Sequence, residues 1–106
     1  MPFININNVP AREVAPGFFG KFIHSDTLSV AYWEAKQGAE IPLHQHVHEM
    51  VVNVIEGKLE LTVGDETKVL QFGEVAFIPG LVQHKARALT DCKVIDIFHP
   101  VREDYK

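Results

Sequence analysis

Residues 38–57 read GAEIPLHQHVHEMVVNVIEG. His44, His46 and His48 alternate with other residues, and an apolar, β-branched run follows them. In an extended strand, side chains two apart point to the same face. The spacing therefore predicts a strand that projects three imidazoles to one side, with Met50, Val52 and Val54 continuing the same parity. Imidazole is the commonest protein ligand for transition metals. An alternating His run also occurs at solvated strand ends, so its meaning depends on what the rest of the chain brings to it.

Working outward, turn residues divide the sequence into short apolar runs. Toward the C-terminus, Gly57 marks a turn and Lys58 to Val63 alternates, with Leu59, Leu61 and Val63 on one face and Glu60 and Thr62 on the other. Gly64-Asp65 is a hairpin signal, with Thr67 to Phe72 as the return strand. Gly73-Glu74 turns again before Val75 to Ile78, a short strand expected to be buried, which ends at Pro79-Gly80. His84 to Leu89 and Lys93 to Phe98 complete the strands, and 99–106 forms a polar tail with room for one helical turn. Toward the N-terminus, Ser29 to Ala35 is a strand, Gly17 to Lys21 reads as a turn carrying two aromatics, and 1–28 reads as an irregular arm with edge strands. Pro2, Pro10 and Pro16 exclude a helix there. No segment has the pattern of an amphipathic helix of three turns. Many short strands with regular turn signals predict an all-β sandwich or barrel.

A chain of 106 residues predicts a single domain, with 29–98 as the barrel proper. Ten Lys+Arg against fourteen Asp+Glu leave a formal charge of −4, which argues against nucleic acid or an anionic membrane as partner. Cys92 is the single cysteine, so no intrachain disulfide can form, and its apolar setting reads as a buried small hydrophobe. The first residues lack the basic and apolar regions of a signal peptide, and no apolar run approaches the ~18 residues needed to span a bilayer. A cytoplasmic protein is the expectation. The high Val, Ile and Phe content predicts a homodimer that covers an apolar sheet face.

Gly38, His44, His46 and Gly57, in that spacing, resemble the first signature of the cupin superfamily. Gly73, Pro79 and His84 resemble its second, fifteen residues further on. The resemblance implies a double-stranded β-helix, or jelly-roll, barrel, and a metal held by His44, His46 and His84. It also implies a carboxylate ligand at the position of Met50. A thioether is soft and suits Mn, Fe, Ni or Zn poorly, so either the fourth position falls to water, to His48, which has the right parity, or to Met50 itself, or the site is weakened and empty in practice. Glu49 falls on the opposite face. Leu81 stands where the second signature has an inner glycine, and Ala88 where it has a trailing asparagine. The expected cofactor is a divalent transition metal, with Ni, Zn, Fe and Mn all open.

Residues 87–105, Arg-Ala-Leu-Thr-Asp-Cys-Lys-Val-Ile-Asp-Ile-Phe-His-Pro-Val-Arg-Glu-Asp-Tyr, are similar to the C-terminal strand and tail of pectin-degradation cupins of the KdgF type. That resemblance implies conversion of 4,5-unsaturated monouronates to the linear 4-deoxy-5-keto uronate, with Asp96, Phe98 and Arg102 as catalytic residues. A carboxylate in a barrel lumen can move protons, a guanidinium pairs bidentately with a substrate carboxylate, and a metal acts as a Lewis acid. Each also has a structural alternative: Asp96 paired with Arg87 or Lys93, Phe98 as core, Arg102 as a solvated charge. Because fold does not fix function, a dioxygenase, an isomerase, or a non-catalytic cupin that binds a sugar or a metal remain alternatives. His24 and His99 read as surface or supporting residues. Of Tyr32 and Trp33, one is expected to line the lumen.

Overall fold

A computed structural model describes residues 2–106. Ten strands follow one another: β1 (Arg12–Ala15), β2 (Phe18–His24), β3 (Ser29–Ala35), β4 (Glu40–His44), β5 (Glu49–Glu56), β6 (Leu59–Val63), β7 (Glu66–Leu70), β8 (Val75–Ile78), β9 (His84–Ala88) and β10 (Cys92–His99). Among the described residues, two single 3-10 turns flank them, at Ile6–Asn8 and Glu103–Tyr105. A six-stranded sheet in the order β1-β2-β3-β10-β5-β8 faces a four-stranded sheet in the order β4-β9-β6-β7. Every strand pairing is antiparallel. Two such sheets packed face to face make a jelly roll. Among the described residues, no helix is long and apolar enough to cross a membrane.

Strand alternation builds the core. Met50, Val52 and Val54 of β5, Val94 and Phe98 of β10, and Ala31, Trp33 and Ala35 of β3 all point inward and are buried. Leu59 and Leu61 of β6 and Ala88 of β9 meet them from the smaller sheet. Cys92 is buried, as its apolar setting predicts.

Three local expectations are corrected by the structure. First, Pro16-Gly17 makes the turn, with Gly17 at φ +80°, and Phe18 to Lys21 already belongs to β2, with Phe18 opposite Ala35. Burying Phe18 against Trp33 requires a strand rather than a loop. Second, Val75 to Ile78 is an edge strand, not a fully buried one, and its Val75 and Phe77 are exposed. Third, the histidine run is not one strand. The β4 ladder shifts register between Ile41 and His44, next to Pro42, which has no amide to donate. Residues 45–48 then form a loop to β5.

The outer face of the larger sheet is apolar along one row. Ile23, Val30, Ile97, Val51 and Phe77 are successive cross-strand partners, and Phe77 and Ile97 are exposed.

Candidate metal centre

The β4–β9 ladder sets His44 directly opposite His84, and the loop after β4 returns His46 to the same place. The imidazole ring centroids are 4.2 Å apart for His44–His84, 4.8 Å for His46–His84 and 5.4 Å for His44–His46. One ring nitrogen from each lies within 4.8 Å of the other two. Each ring is fixed from behind by a main-chain carbonyl: Nδ1 of His44 on Pro42 (2.8 Å), Nδ1 of His46 on His48 (3.0 Å), and Nδ1 of His84 on Val82 (2.8 Å). A carbonyl only accepts, so each Nδ1 carries the proton and each Nε2 presents a lone pair.

Nε2 of His46 and Nε2 of His84 are buried without any hydrogen-bond partner. An unpaired buried acceptor costs about 1–3 kcal/mol, and three convergent imidazoles, each held by an outer main-chain contact, fit a transition-metal ion. The electrostatics agree. Burial, followed by the Arg102 guanidinium and then His84, lowers the His46 pKa to about 4, and burial likewise lowers that of His84. His46 therefore stays neutral, as a ligand must, well below the ordinary titration range of histidine, and His84 is shifted in the same direction.

His48 and Met50 separate at this point. His48 lies outside the three-histidine group, and its Nε2–H donates to the Val101 carbonyl at 3.2 Å. Its parity with His44 and His46 is lost because the loop, not a strand, carries it. Met50 is buried and lines the same cavity as His44, His46 and His84. Glu49 is exposed, consistent with its parity.

The cavity extends from the histidines to the far wall of the barrel, with a volume of about 70 Å³. Asp96, Phe98 and Arg102 all line it. Asp96 shares an inward face with Val94 and Phe98, and pairs with neither Arg87 nor Lys93. Its Oδ2 accepts a hydrogen bond from Trp33 Nε1–H at 2.9 Å, while Oδ1 is buried without a partner. Burial pushes its pKa up to about 7, against the opposing pull of the Trp33 hydrogen bond and the Arg102 charge. Phe98 is 2% exposed, with its ring edge-on to His46 at 5.9 Å.

Arg102 is not a solvated tail charge. It is 8% exposed, and its guanidinium carbon lies 4.7 Å from the Phe98 ring centroid and 4.1 Å from that of Tyr105. Its backbone N–H donates to the buried Ser29 hydroxyl at 2.8 Å. Asp104 takes the Nε–Nη2 edge with bonds of 3.0 and 2.8 Å. Asp104 thus occupies one edge of the guanidinium and leaves Nη1 outside that pair.

Asp104 and Tyr105 are site neighbours that the sequence does not single out. Alternation puts one of Tyr32 and Trp33 in the lumen, and the structure selects Trp33. Nothing local marks Asp104 or Tyr105, because the tail acquires its conformation only by docking on β2, β3 and β10. His24 supports that docking: its ring lies 2.7 Å from the Ser29 hydroxyl and 3.2 Å from the Tyr105 carbonyl.

Comparisons with known proteins match this architecture. The structure resembles an RmlC-like cupin from Shewanella frigidimarina with a TM-score of 0.94 at 29% identity, covering 100% of this chain and 96% of that one. It resembles KdgF from Halomonas sp. with a TM-score of 0.93 at 29% identity, covering 100% and 99%. Oxalate decarboxylase from Bacillus subtilis shares the fold alone, at 18% identity and a TM-score of 0.84 over 96% of this chain and 30% of that one. In sequence, an uncharacterized protein of Streptomyces coelicolor is 28% identical over 90 residues, 84% of this chain and 86% of that protein. The Cupin domain family matches residues 31–98. With both signatures, the jelly roll and the family match in agreement, the chain belongs to the cupin family.

Proposed function

We propose that this protein is a metal-dependent cupin enzyme that acts on a small sugar acid. In its specific form, it opens 4,5-unsaturated monouronates and converts them to the linear 4-deoxy-5-keto uronate. One observation carries the reading: a single cavity is lined by three histidines with inward lone pairs, a carboxylate with an unpartnered oxygen, and a buried guanidinium. The likeness to KdgF from Halomonas sp. over essentially the whole of both chains supports it.

In this reading His44, His46 and His84 hold the metal, with Met50 beside them and His48 outside the coordination shell. A divalent transition metal bound there supplies Lewis acidity toward hydroxyl or carbonyl oxygens. Arg102 binds the uronate carboxylate, and the Phe98 ring packs against both Arg102 and His46, fixing where the sugar lies between them. Asp96 handles the proton. The anomeric hydroxyl loses a proton, the C1–O5 bond breaks with its electron pair going to O5 to leave an aldehyde and an enolate, and the enolate then gains a proton at C4 to give the C5 ketone. One proton is removed and one is returned, so a group that titrates near neutrality can serve both steps. Asp96, with its pKa near 7, is such a group. The protein acts as a homodimer built on the apolar outer face.

The test follows the near-ultraviolet absorbance of unsaturated galacturonate. The wild-type protein, loaded with Zn, Ni, Mn or Fe in turn, should speed its loss, and Asp96→Ala and chelation should each abolish the acceleration. Unchanged decay with every metal would overturn the specific reaction. Oxygen uptake with a substrate would favour a dioxygenase, and tight binding without turnover a sugar-binding cupin.

A further inference from the structure

We infer that Trp33 is the positioning residue of the proton-transfer group: its indole N–H holds Oδ2 of Asp96 and leaves Oδ1 as the oxygen presented to the cavity. This inference rests on the proton-transfer reading of Asp96 given above.

The geometry comes from register. In the β3–β10 ladder Asp96 stands opposite Ala31, and Trp33 opposite Val94. The alanine is too short to touch the carboxylate, so the diagonal position supplies the partner, within reach of a large aromatic side chain. The ring is fixed on several sides. Phe22 and Phe18 meet it edge-on at 5.4 and 6.1 Å, and Tyr105 does so at 6.0 Å. Gly20 faces Trp33 across β2, and a Cβ there would fall 2.8 Å from Cζ3 of the indole. The glycine is what lets the ring occupy this place.

An indole nitrogen donates and never accepts. Oδ2 must therefore act as acceptor whether Asp96 is charged or neutral, and a proton on Asp96 is directed to Oδ1. That oxygen is buried and unpartnered, so it is the one free to exchange a proton with a ligand. The other strand partner of Asp96, Val52 on β5, is apolar. The charged and titratable groups acting on it are Arg102 and Tyr105 of the tail, while His44, His46 and His84 of the metal centre and Lys85 of β9 line the same cavity. Trp33 is thus the element beside Asp96 that selects between its two oxygens.

The chain has a single tryptophan, so a nitrogen–proton correlation spectrum of the zinc-loaded protein shows one indole signal. Across a pH titration that signal should follow one protonation event in the wild type and stay flat in Asp96→Asn. Trp33→Phe keeps an aromatic ring and removes the donor. It should lower kcat on unsaturated galacturonate roughly 10-fold, the scale of one lost charge-assisted hydrogen bond, with KM little changed. Its pH–rate profile should move upward, because the lost bond favoured the ionised carboxylate. If Trp33→Phe does not fold, the spectroscopic arm still decides on the wild type and Asp96→Asn. An indole signal that ignores Asp96→Asn, or a Trp33→Phe pH profile that superimposes on the wild type, overturns the positioning role. Failure of the proton-transfer reading looks different: Asp96→Asn would turn over at the wild-type rate while the wild-type indole signal still titrated.

Discussion

His44 and His84 face each other across the β4–β9 ladder, with ring centroids 4.2 Å apart and Nδ1 of each bonded to a main-chain carbonyl behind it. Two lone pairs are thereby aimed at one point, joined by a third from His46. Without a cation, this arrangement leaves buried acceptors unpaired and mutually repelling. The first prediction is that a divalent metal at 100 times its dissociation constant stabilises the fold by about 2.7 kcal/mol, or roughly 10 °C in Tm for a domain of this size. His84→Ala should lose both the shift and the bound metal. Calorimetry with and without chelator, paired with elemental analysis, checks this. Equal metal content in His84→Ala would remove His84 from the site.

Asp96 dictates a pH dependence of stability. Its pKa is about 7 in the fold and near the ordinary ~3.9 in the unfolded chain. Between those values the folded state holds the extra proton, so the contribution of Asp96 to stability is full below pH 4 and is lost as pH rises through 7. His46, lowered to about 4, slopes the other way, because the unfolded chain binds the extra proton between pH 4 and 6.5. Asp96→Asn removes the first slope and keeps the second. Its stability relative to the wild-type apoprotein should rise from pH 4 to 7 and then level off, as denaturant midpoints at several pH values will show. A constant difference across that range would mean that Asp96 ionises normally.

Much of this fold is legible in the sequence because its rules are local. Ser29 to Ala35 alternates inward Ala31, Trp33 and Ala35 with outward neighbours, and β3 spans those same residues. Gly64-Asp65 announces the β6–β7 hairpin. The histidine loop is not legible, because Pro42 and a register shift break a pattern that looks periodic in one dimension. Likewise, the bond between Trp33 and Asp96 spans 63 positions, and its existence depends on the β3–β10 register, which no short-range signal encodes. The Arg102–Asp104 pair is near in sequence, but a charged tail gives no sign that it will be buried until the Phe98 and Tyr105 rings pack against the guanidinium.

The loop after β8 offers a test of how the site is held. Leu81 adopts φ 67°, at the position where the cupin signature carries glycine, and its N–H donates to the His46 carbonyl at 2.8 Å. A left-handed leucine costs about 1–2 kcal/mol, partly offset in a Leu81→Gly variant by the greater freedom of glycine in the unfolded chain. Leu81 is 59% exposed, so little burial is lost. Leu81→Gly should gain about 0.5–1 kcal/mol and leave metal affinity unchanged. Gly80→Ala should do the opposite. Its Cβ would lie 2.5 Å from the Val47 carbonyl, pressing on the segment that carries His46, at a cost of about 1–3 kcal/mol and with weaker metal binding. Paired melts and metal titrations check both variants. Unchanged metal affinity in Gly80→Ala would mean that the histidine loop is positioned without this contact.

The apolar row on the larger sheet predicts the assembly. Ile97 sits between Val30 and Val51 in register, and Phe77 extends the row to the edge strand β8. Exposed apolar surface at about 25 cal/mol per Å² favours burial, and a continuous patch of this kind marks an interaction face. Ile97→Lys places a charge at the centre of the row, facing solvent in the monomer, so the isolated fold tolerates it at a cost within about 0.5 kcal/mol of zero. In a homodimer that buries this face, the same charge is desolvated. Ile97→Lys should therefore halve the mass seen by light scattering while keeping the strand signature in circular dichroism and the metal stoichiometry. A wild-type protein that is monomeric at every concentration would overturn the homodimer, and an Ile97→Lys variant that remains dimeric would place the contact elsewhere.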